Sequence, residues 1–289
     1  MSLRAGAGGL IGLLIALASS TVAAEESVSF PSLDRAGVSP VVLVARWFPA
    51  QATPAPAVVL LHGCGGAVDR RGHLTRRLAE TAAFLNEHGF HALVVDSLTP
   101  RSETEICTQR VGKRRVTQLN RRRDALAAID WLARRSDVAL DRIGLLGWSN
   151  GGSTVLSVTN RRHPEVAAAA VQPAFAIAFY PGCEAELRRG YDTSTALLML
   201  VGEADDWTPA APCHRLAEQA DHVRPEIEGY AGAFHGFDSE APVRLRTDVP
   251  NGVHPGMGVH VGRNADALRR SRDRLSAVLA RQCAGGRSV

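Results

Sequence analysis

Unbroken apolar runs constrain the fold of this chain more than any other feature. They are AVVLLH (57–62), HALVVD (91–96), IGLLGW (143–148), AFAIAFY (174–180) and ALLMLVG (196–202). A strand buried on both faces needs this kind of run, because neither face meets water. Between the runs lie stretches with helical spacing. One covers 72–88, with Leu74, Leu78 and Leu85 on one side and Gly89 as its stop. A second, arginine-rich, covers 110–135, with Leu119, Leu126, Ile129 and Leu132 recurring. Others start just after Ser149, span 210–221, and begin near Asn264 with Leu268, Leu275, Val278 and Leu279. SVSFPS, VVLVARWF and a short segment at 225–230 read as further strands. Strands alternating with helices predict a mostly parallel central sheet with helices on both faces.

No composition break or repeat divides the chain after residue 25, so residues 25–289 read as a single domain. Residues 1–24 are different. MSLR carries charge, an apolar stretch GAGGLIGLLIALASS follows, and TVAA closes on small residues. That order is a secretory signal with cleavage after Ala24. The apolar stretch falls short of the roughly 20 residues of a membrane span. Export makes the chain periplasmic or secreted and gives its five cysteines a meaning, since an oxidising compartment permits disulfides. An odd count leaves at least one thiol without a partner inside the chain.

The net charge of +4 and pI of 9.0 raise the question of nucleic acid. The densest basic stretch, RVGKRRVTQLNRRRDALAAIDWLARR, has no series of interleaved aromatic rings on which bases could stack, Trp131 being its one aromatic residue. Its arginines read as the wet face of an amphipathic helix, with no nucleic-acid partner.

Ligands in open parallel sheets bind at the carboxyl ends of the strands. Behind IGLLGW sits Gly147-Trp148-Ser149-Asn150-Gly151, a G-x-S-x-G between a strand and a helix. Such a turn exposes the serine, and glycines two residues either side let strand and helix pass closely. A serine hydroxyl needs a base to take its proton, and the base needs an orienting acid. After ALLMLVG, the turn EADDWTP offers Asp205 and Asp206. The position of Asp205 on that turn favours it, which leaves Asp206 as a solvated or capping carboxylate. Among ten histidines, His235 in AFHGFD follows the last strand and comes after the acid. His62 reads as a residue that shapes its loop. His214, His222, His254 and His260 read as surface positions, and nothing around His254 and His260 has metal-ligand spacing. An oxyanion hole needs two N–H donors. Asn150 supplies one, and HGCGG after AVVLLH supplies the other, best from Cys64. Trp207 and Phe237 flank acid and base, either lining the site or packing beneath it.

Taken in order, HGCGG, the strand ending at Asp96, GWSNGG, GEADDWTP and AFHGFD resemble the dienelactone hydrolase branch of the α/β-hydrolases, from about residue 40 onward. The resemblance implies the α/β-hydrolase fold. It implies hydrolysis of an ester or lactone through an acyl-enzyme, with Ser149, Asp205 and His235 as triad. It implies neither metal nor organic cofactor, and a small-molecule substrate as partner. Ser149 stands where the founding members carry cysteine, and those members are cytoplasmic. In that family an arginine after the strand corresponding to HALVVD binds a substrate carboxylate; Arg101 is the nearest candidate, with a salt bridge as its other reading. Two cysteine pairs follow neighbouring strands, Cys183 with Cys213 and Cys64 with Cys107. The alternatives are a peptidase of prolyl-oligopeptidase type, for which no propeller is present, and a non-catalytic binding protein retaining the fold. The export reading has a direct check. Protein recovered from an exporting host is expected to begin at Glu25 by intact mass, and a mass that includes residues 1–24 would contradict it.

Overall fold

The computed structural model describes residues 25–284, so the expected signal at 1–24 lies outside the described residues. The main sheet has eight strands. They are β1 (Glu26–Ala36), β2 (Ser39–Phe48), β3 (Ala55–Leu61), β4 (His91–Asp96), β5 (Val138–Trp148), β6 (Phe175–Phe179), β7 (Ala196–Gly202) and β8 (Glu226–Tyr230). Their spatial order is β1-β2-β4-β3-β5-β6-β7-β8. β1 and β2 form an antiparallel hairpin and β2 pairs antiparallel with β4. All remaining pairings are parallel. Burial follows this layout. β3, β4 and β6 are buried at every position, whereas β1 and β2 alternate between buried and exposed residues. An edge hairpin with one wet face requires that alternation.

The chain leaves β3, forms β4 on one side, and returns to place β5 on the other. That reversal opens a crevice at the carboxyl ends of β3 and β5. The ladder pairs Leu61 with Gly147, so HGCGG and Ser149 emerge beside each other.

Five longer helices cover the sheet: α1 (Arg76–Glu87), α2 (Gln118–Ala133), α3 (Asn150–Thr159), α4 (Ala210–Gln219) and α5 (Ala265–Ala284). One face packs α2, α3 and α4 in a core that includes Leu126, Ile129, Leu132, Val155 and Leu216. The other packs α1 and α5, burying Leu78, Ala82, Leu85, Leu275 and Leu279. Each buried leucine contributes about 2 kcal/mol of transfer free energy. Gly89, at φ +78, accepts the left-handed turn that ends α1.

The arginine-rich stretch departs from the expectation in two ways. The helix starts at Gln118, where Thr117 and Asn120 form a capping box, and residues 110–117 are turns. Its arginines are not all on a wet face either. Arg121 and Arg122 are buried, while Leu119 is exposed. Arg122 donates to Glu165 at 2.7 Å and to Ser157 at 2.8 Å. Beside them the Glu186 carboxylate receives Asn160 at 2.6 Å and faces His163 at 3.0 Å. At the same first turns of α2, Arg101 donates to Asp34 at 2.9 Å and Asp124 at 2.8 Å, and Arg123 and Asn120 also reach Asp34.

Disulfides join Cys64 to Cys107 and Cys183 to Cys213, the two pairs that strand adjacency suggests, and Cys283 is free and exposed. The first ties the loop after β3 to the segment before α2. The second ties the start of the short helix Glu184–Arg189 to α4.

Loop closure gives each bridge a scale. Sequence separations of 43 and 30 residues correspond to about 3–4 kcal/mol of stabilisation on a chain-entropy account. Alkylation without reductant is expected to modify Cys283 alone, and Cys183→Ser with Cys213→Ser to lower the unfolding free energy by about 3 kcal/mol; modification of all five thiols would contradict both bridges. The carboxylates predict acid sensitivity. Burial opposes ionisation of Asp34, Glu165 and Glu186, but their hydrogen-bond donors outweigh it and hold each below its ordinary value of 3.8 or 4.5. Depressed carboxyls stabilise the fold fully above the unfolded values and lose that contribution as pH falls through the folded ones. Burial also holds His62 and His91 below 6.5, so the unfolded chain binds more protons below that pH. The urea midpoint is therefore expected to decline from about pH 6.5 and to fall further below about pH 4, with a shallower fall below about pH 4 in Asp34→Asn.

Candidate active site

Ser149 occupies a turn that few side chains tolerate, at φ 55 and ψ −118. Its N–H donates to the Phe179 carbonyl at 2.9 Å, which fixes the turn to β6. The turn is also closely packed. A Cβ on Gly147 would lie 2.4 Å from the Gly151 oxygen, and one on Gly151 would lie 2.0 Å from the Leu61 oxygen. Glycine is required at both positions because backbone, not movable side chain, fills the space. α3 starts at Asn150, so the serine sits at a helix N-terminus, where partial positive charge concentrates.

The structure brings Ser149, His235 and Asp205 into one hydrogen-bonded line. The serine Oγ lies 2.8 Å from His235 Nε2, and His235 Nδ1 lies 2.8 Å from Asp205 Oδ2. His235 and Asp205 are each 4 % exposed. The second oxygen of Asp205 accepts the N–H groups of Trp207 and Thr208 at 2.8 and 2.9 Å, which fixes the carboxylate plane. The Thr208 hydroxyl, 3.0 Å from both Asp205 Oδ2 and His235 Nδ1, braces the same junction. Trp207 packs on one side of the His235 ring and Tyr180 on another, with centroids 4.6 Å away in each case.

Asp206 turns away from this line. Its carboxylate accepts the His260 N–H at 2.8 Å and meets His260 Nδ1 at 2.7 Å. Neither residue is a free surface group. The pair ties the acid turn to a small hairpin, Arg244–Arg246 with Val259–Val261, that the short segments around it do not announce. Through this hairpin Arg244, Arg246 and Val261 reach the mouth of the site.

The cavity at Ser149 has a volume of about 300 Å³. Gly63, Cys64, Trp148, Trp207 and His235 are among its walls, as is the Cys64–Cys107 bridge. The N–H groups of Cys64 and Asn150 have no acceptor among the described residues. Trp207 therefore lines the site, whereas Phe237 is fully buried and packs on Tyr180 and Tyr230. A larger cavity, about 660 Å³, lies between α1 and α5 and shares Arg77 and Trp148, but neither Ser149 nor His235 lines it.

His62 shapes the loop, as its position suggests. Burial, with the Arg121 charge beside it, holds its pKa well below 6.5, so the ring is neutral. Its Nδ1 donates to the Gly63 carbonyl at 2.7 Å and its Nε2 accepts the Ser97 N–H at 3.3 Å. Arg101 corrects an expectation. It does not line the cavity, because Asp34, Asp124 and the Ser97 carbonyl consume its guanidinium within the fold. Of its two readings, the salt bridge is the one formed. Asp238 is a residue that the motif reading passed over. Its carboxylate gathers Arg77 at 2.9 Å, Tyr180 at 2.8 Å and Trp148 at 3.0 Å around the serine and histidine. Its place in HGFD was visible, but its partners come from three other elements. Among the described residues no group of three or more His, Cys, Asp or Glu side chains could hold a metal ion.

Comparison with known proteins agrees with this architecture. None of the curated proteins compared matches the chain. Among solved structures, a dienelactone hydrolase-like promiscuous phosphotriesterase from metagenomic libraries superposes with a TM-score of 0.61 at 18 % identity, covering 90 % of this chain and 99 % of that one. A carboxylesterase from Lactobacillus plantarum gives 0.59 at 16 % identity, covering 89 % and 98 %. A dienelactone hydrolase from Anabaena variabilis gives 0.55 at 20 % identity, covering 74 % and 89 %. At such identities these likenesses speak for the α/β-hydrolase fold alone. The sequence pattern of one family spans far more than half of the chain, from residue 43 to 278, and on that ground the chain belongs to the dienelactone hydrolase family.

Proposed function

We propose that this chain is an exported serine hydrolase that cleaves a carboxylic ester or lactone through an acyl-enzyme. One observation carries the reading: the Ser149–His235–Asp205 line, with both hydrogen bonds at 2.8 Å, ends in a cavity beside two unused backbone donors. In the proposed reaction His235 Nε2 takes the Ser149 proton as Oγ attacks the carbonyl. Asp205 holds the Nδ1–H tautomer and stabilises the imidazolium. The N–H groups of Asn150 and Cys64 receive the oxyanion. His235 then gives its proton to the leaving alkoxide, activates water in turn, and the acid departs.

The cavity walls bear on the substrate. Trp148 and Trp207 supply apolar surface, Arg77 and Arg246 are paired with Asp238 and Asp248, and Arg244 supplies positive charge. Arg244 has no ion-pair partner among the described residues. A small ester or lactone that carries negative charge fits that lining. Two disulfides support an oxidising compartment, in keeping with export and removal of residues 1–24. The proposal has residues 25–289 act as one domain, without nucleic acid or stable membrane attachment.

The test combines labelling and turnover. A fluorophosphonate probe is expected to label the purified protein, and Ser149→Ala to abolish both labelling and hydrolysis of p-nitrophenyl acetate. Asp205→Asn is expected to lower kcat by about 10⁴-fold through the wrong imidazole tautomer. Asp206→Asn, which touches only the hairpin, is expected to stay within about 3-fold of wild type, below the 10²-fold or more of a lost acid–base group. A folded protein that neither labels nor turns over would leave the non-catalytic binding reading in place.

A further inference from the structure

Resting on the hydrolase reading above, we infer that Arg121 is a positioning residue of the oxyanion hole: one buried guanidinium that fixes the spacing of the two donor loops and lends them positive potential. The two donors come from loops 86 residues apart in sequence, after β3 and after β5. The β3–β5 ladder holds those loops together only as far as Leu61 and Gly147. Past that point something else must set the distance between Cys64 and Asn150.

Arg121 is placed to do so. It rises from the first turns of α2, is 1 % exposed, and reaches both loops. One terminal nitrogen donates to Asn150 Oδ1 at 2.5 Å and the other to the His62 carbonyl at 2.7 Å. Asn150 follows the nucleophile, and His62 lies two residues before Cys64. A planar guanidinium has a fixed angle and span between its terminal nitrogens, so two such bonds lock two acceptors in register. Gln118, one turn earlier on α2, adds a bond to the Asn150 carbonyl at 3.1 Å and receives the Thr154 hydroxyl at 2.9 Å. Thus α2 grips residue 150 by side chain and carbonyl and leaves its N–H free for a ligand.

The charge is as telling as the geometry. No carboxylate lies within ion-pair distance of Arg121 among the described residues. The two that influence it are already committed. Asp124 binds Arg101 and Ser32, and Asp96 caps the N–H groups of Leu98 and Thr99. Burial lowers the guanidinium to about 10, so it stays a cation at neutral pH. A buried cation without a paired anion is costly, and so is its Nε, which has no acceptor. A structural brace would be satisfied by a neutral donor at lower cost. A cation behind two N–H groups aimed at a developing oxyanion gains its counter-charge only when the tetrahedral intermediate forms. Interactions of that kind lower the barrier without tightening substrate binding.

The experiment compares Arg121→Met and Arg121→Lys with wild type on the disulfide-intact chain. It measures kcat and KM on p-nitrophenyl acetate and the inhibition constant of an arylboronic acid, whose serine adduct is tetrahedral and anionic. Arg121→Met is expected to lower kcat by about 100-fold, near the effect of losing one direct donor. KM is expected to stay within about 3-fold, and boronate affinity to fall by a factor similar to kcat, since both report the same tetrahedral anion. Arg121→Lys, which keeps charge but spans only one acceptor, is expected to recover about 10-fold of the loss, because an ammonium lacks the guanidinium fork. Wild-type kcat and boronate affinity in Arg121→Lys would overturn the inference, and this variant also serves if Arg121→Met fails to fold. A loss in Arg121→Met confined to KM or to the folded fraction would overturn it equally. A wild type with neither ester turnover nor boronate binding overturns the hydrolase reading itself, whereas an active wild type with unaffected variants overturns only the role of Arg121.

Discussion

The strained turn at Ser149 is the constraint on which the site depends. A non-glycine residue at φ 55 and ψ −118 persists only where its surroundings leave no alternative. Here the surroundings are backbone. Gly147 and Gly151 let β5, α3 and the end of β3 approach within distances that exclude a Cβ, and the Phe179 carbonyl holds the Ser149 N–H from β6. Three adjacent parallel strands therefore over-determine one residue. The result is a hydroxyl at the mouth of the sheet, at the start of a helix, beside a loop with a free N–H.

The acid side of the site shows how two equal carboxylates acquire different tasks. Asp205 and Asp206 are chemically alike and adjacent. The turn directs one inward, where two N–H groups and Thr208 fix it against His235, and the other outward onto His260. The outward pair is not idle. It anchors the hairpin that carries Arg244 and Arg246 over the cavity, so the same turn organises both the line to the serine and the charge of the entrance.

α2 extends this pattern to the opposite side. Its exposed appearance in sequence hides buried arginines that bind separate parts of the molecule: Arg122 a polar cluster with Glu165 and Ser157, and Arg121 the two loops that flank the serine. The Cys64–Cys107 bridge secures the same loop covalently from the cavity side. The loop after β3 is thus held by a cation behind it and a disulfide beside it.

The amino-acid sequence by itself determined the features that depend on local rules. Unbroken apolar runs specify buried strands, glycines around a serine specify a sharp turn, and the serine, acid, histidine order narrows the candidate triad to Ser149, His235 and one of two neighbouring aspartates. Even the cysteine pairing follows once strand adjacency is known. Tertiary structure alone decided what depends on partners distant in the chain. Arg121 and Arg122 are neighbours on α2, yet Arg122 is consumed by Glu165 and Ser157 while Arg121 faces the serine loops. Helical spacing cannot separate them, because period reports which side of a helix a residue is on and not what covers that side. The His260 anchor and the three donors on Asp238 are hidden for the same reason: short polar segments have no periodicity to read, and a hydrogen bond across 54 or 90 residues exists only after the sheet has brought its ends together.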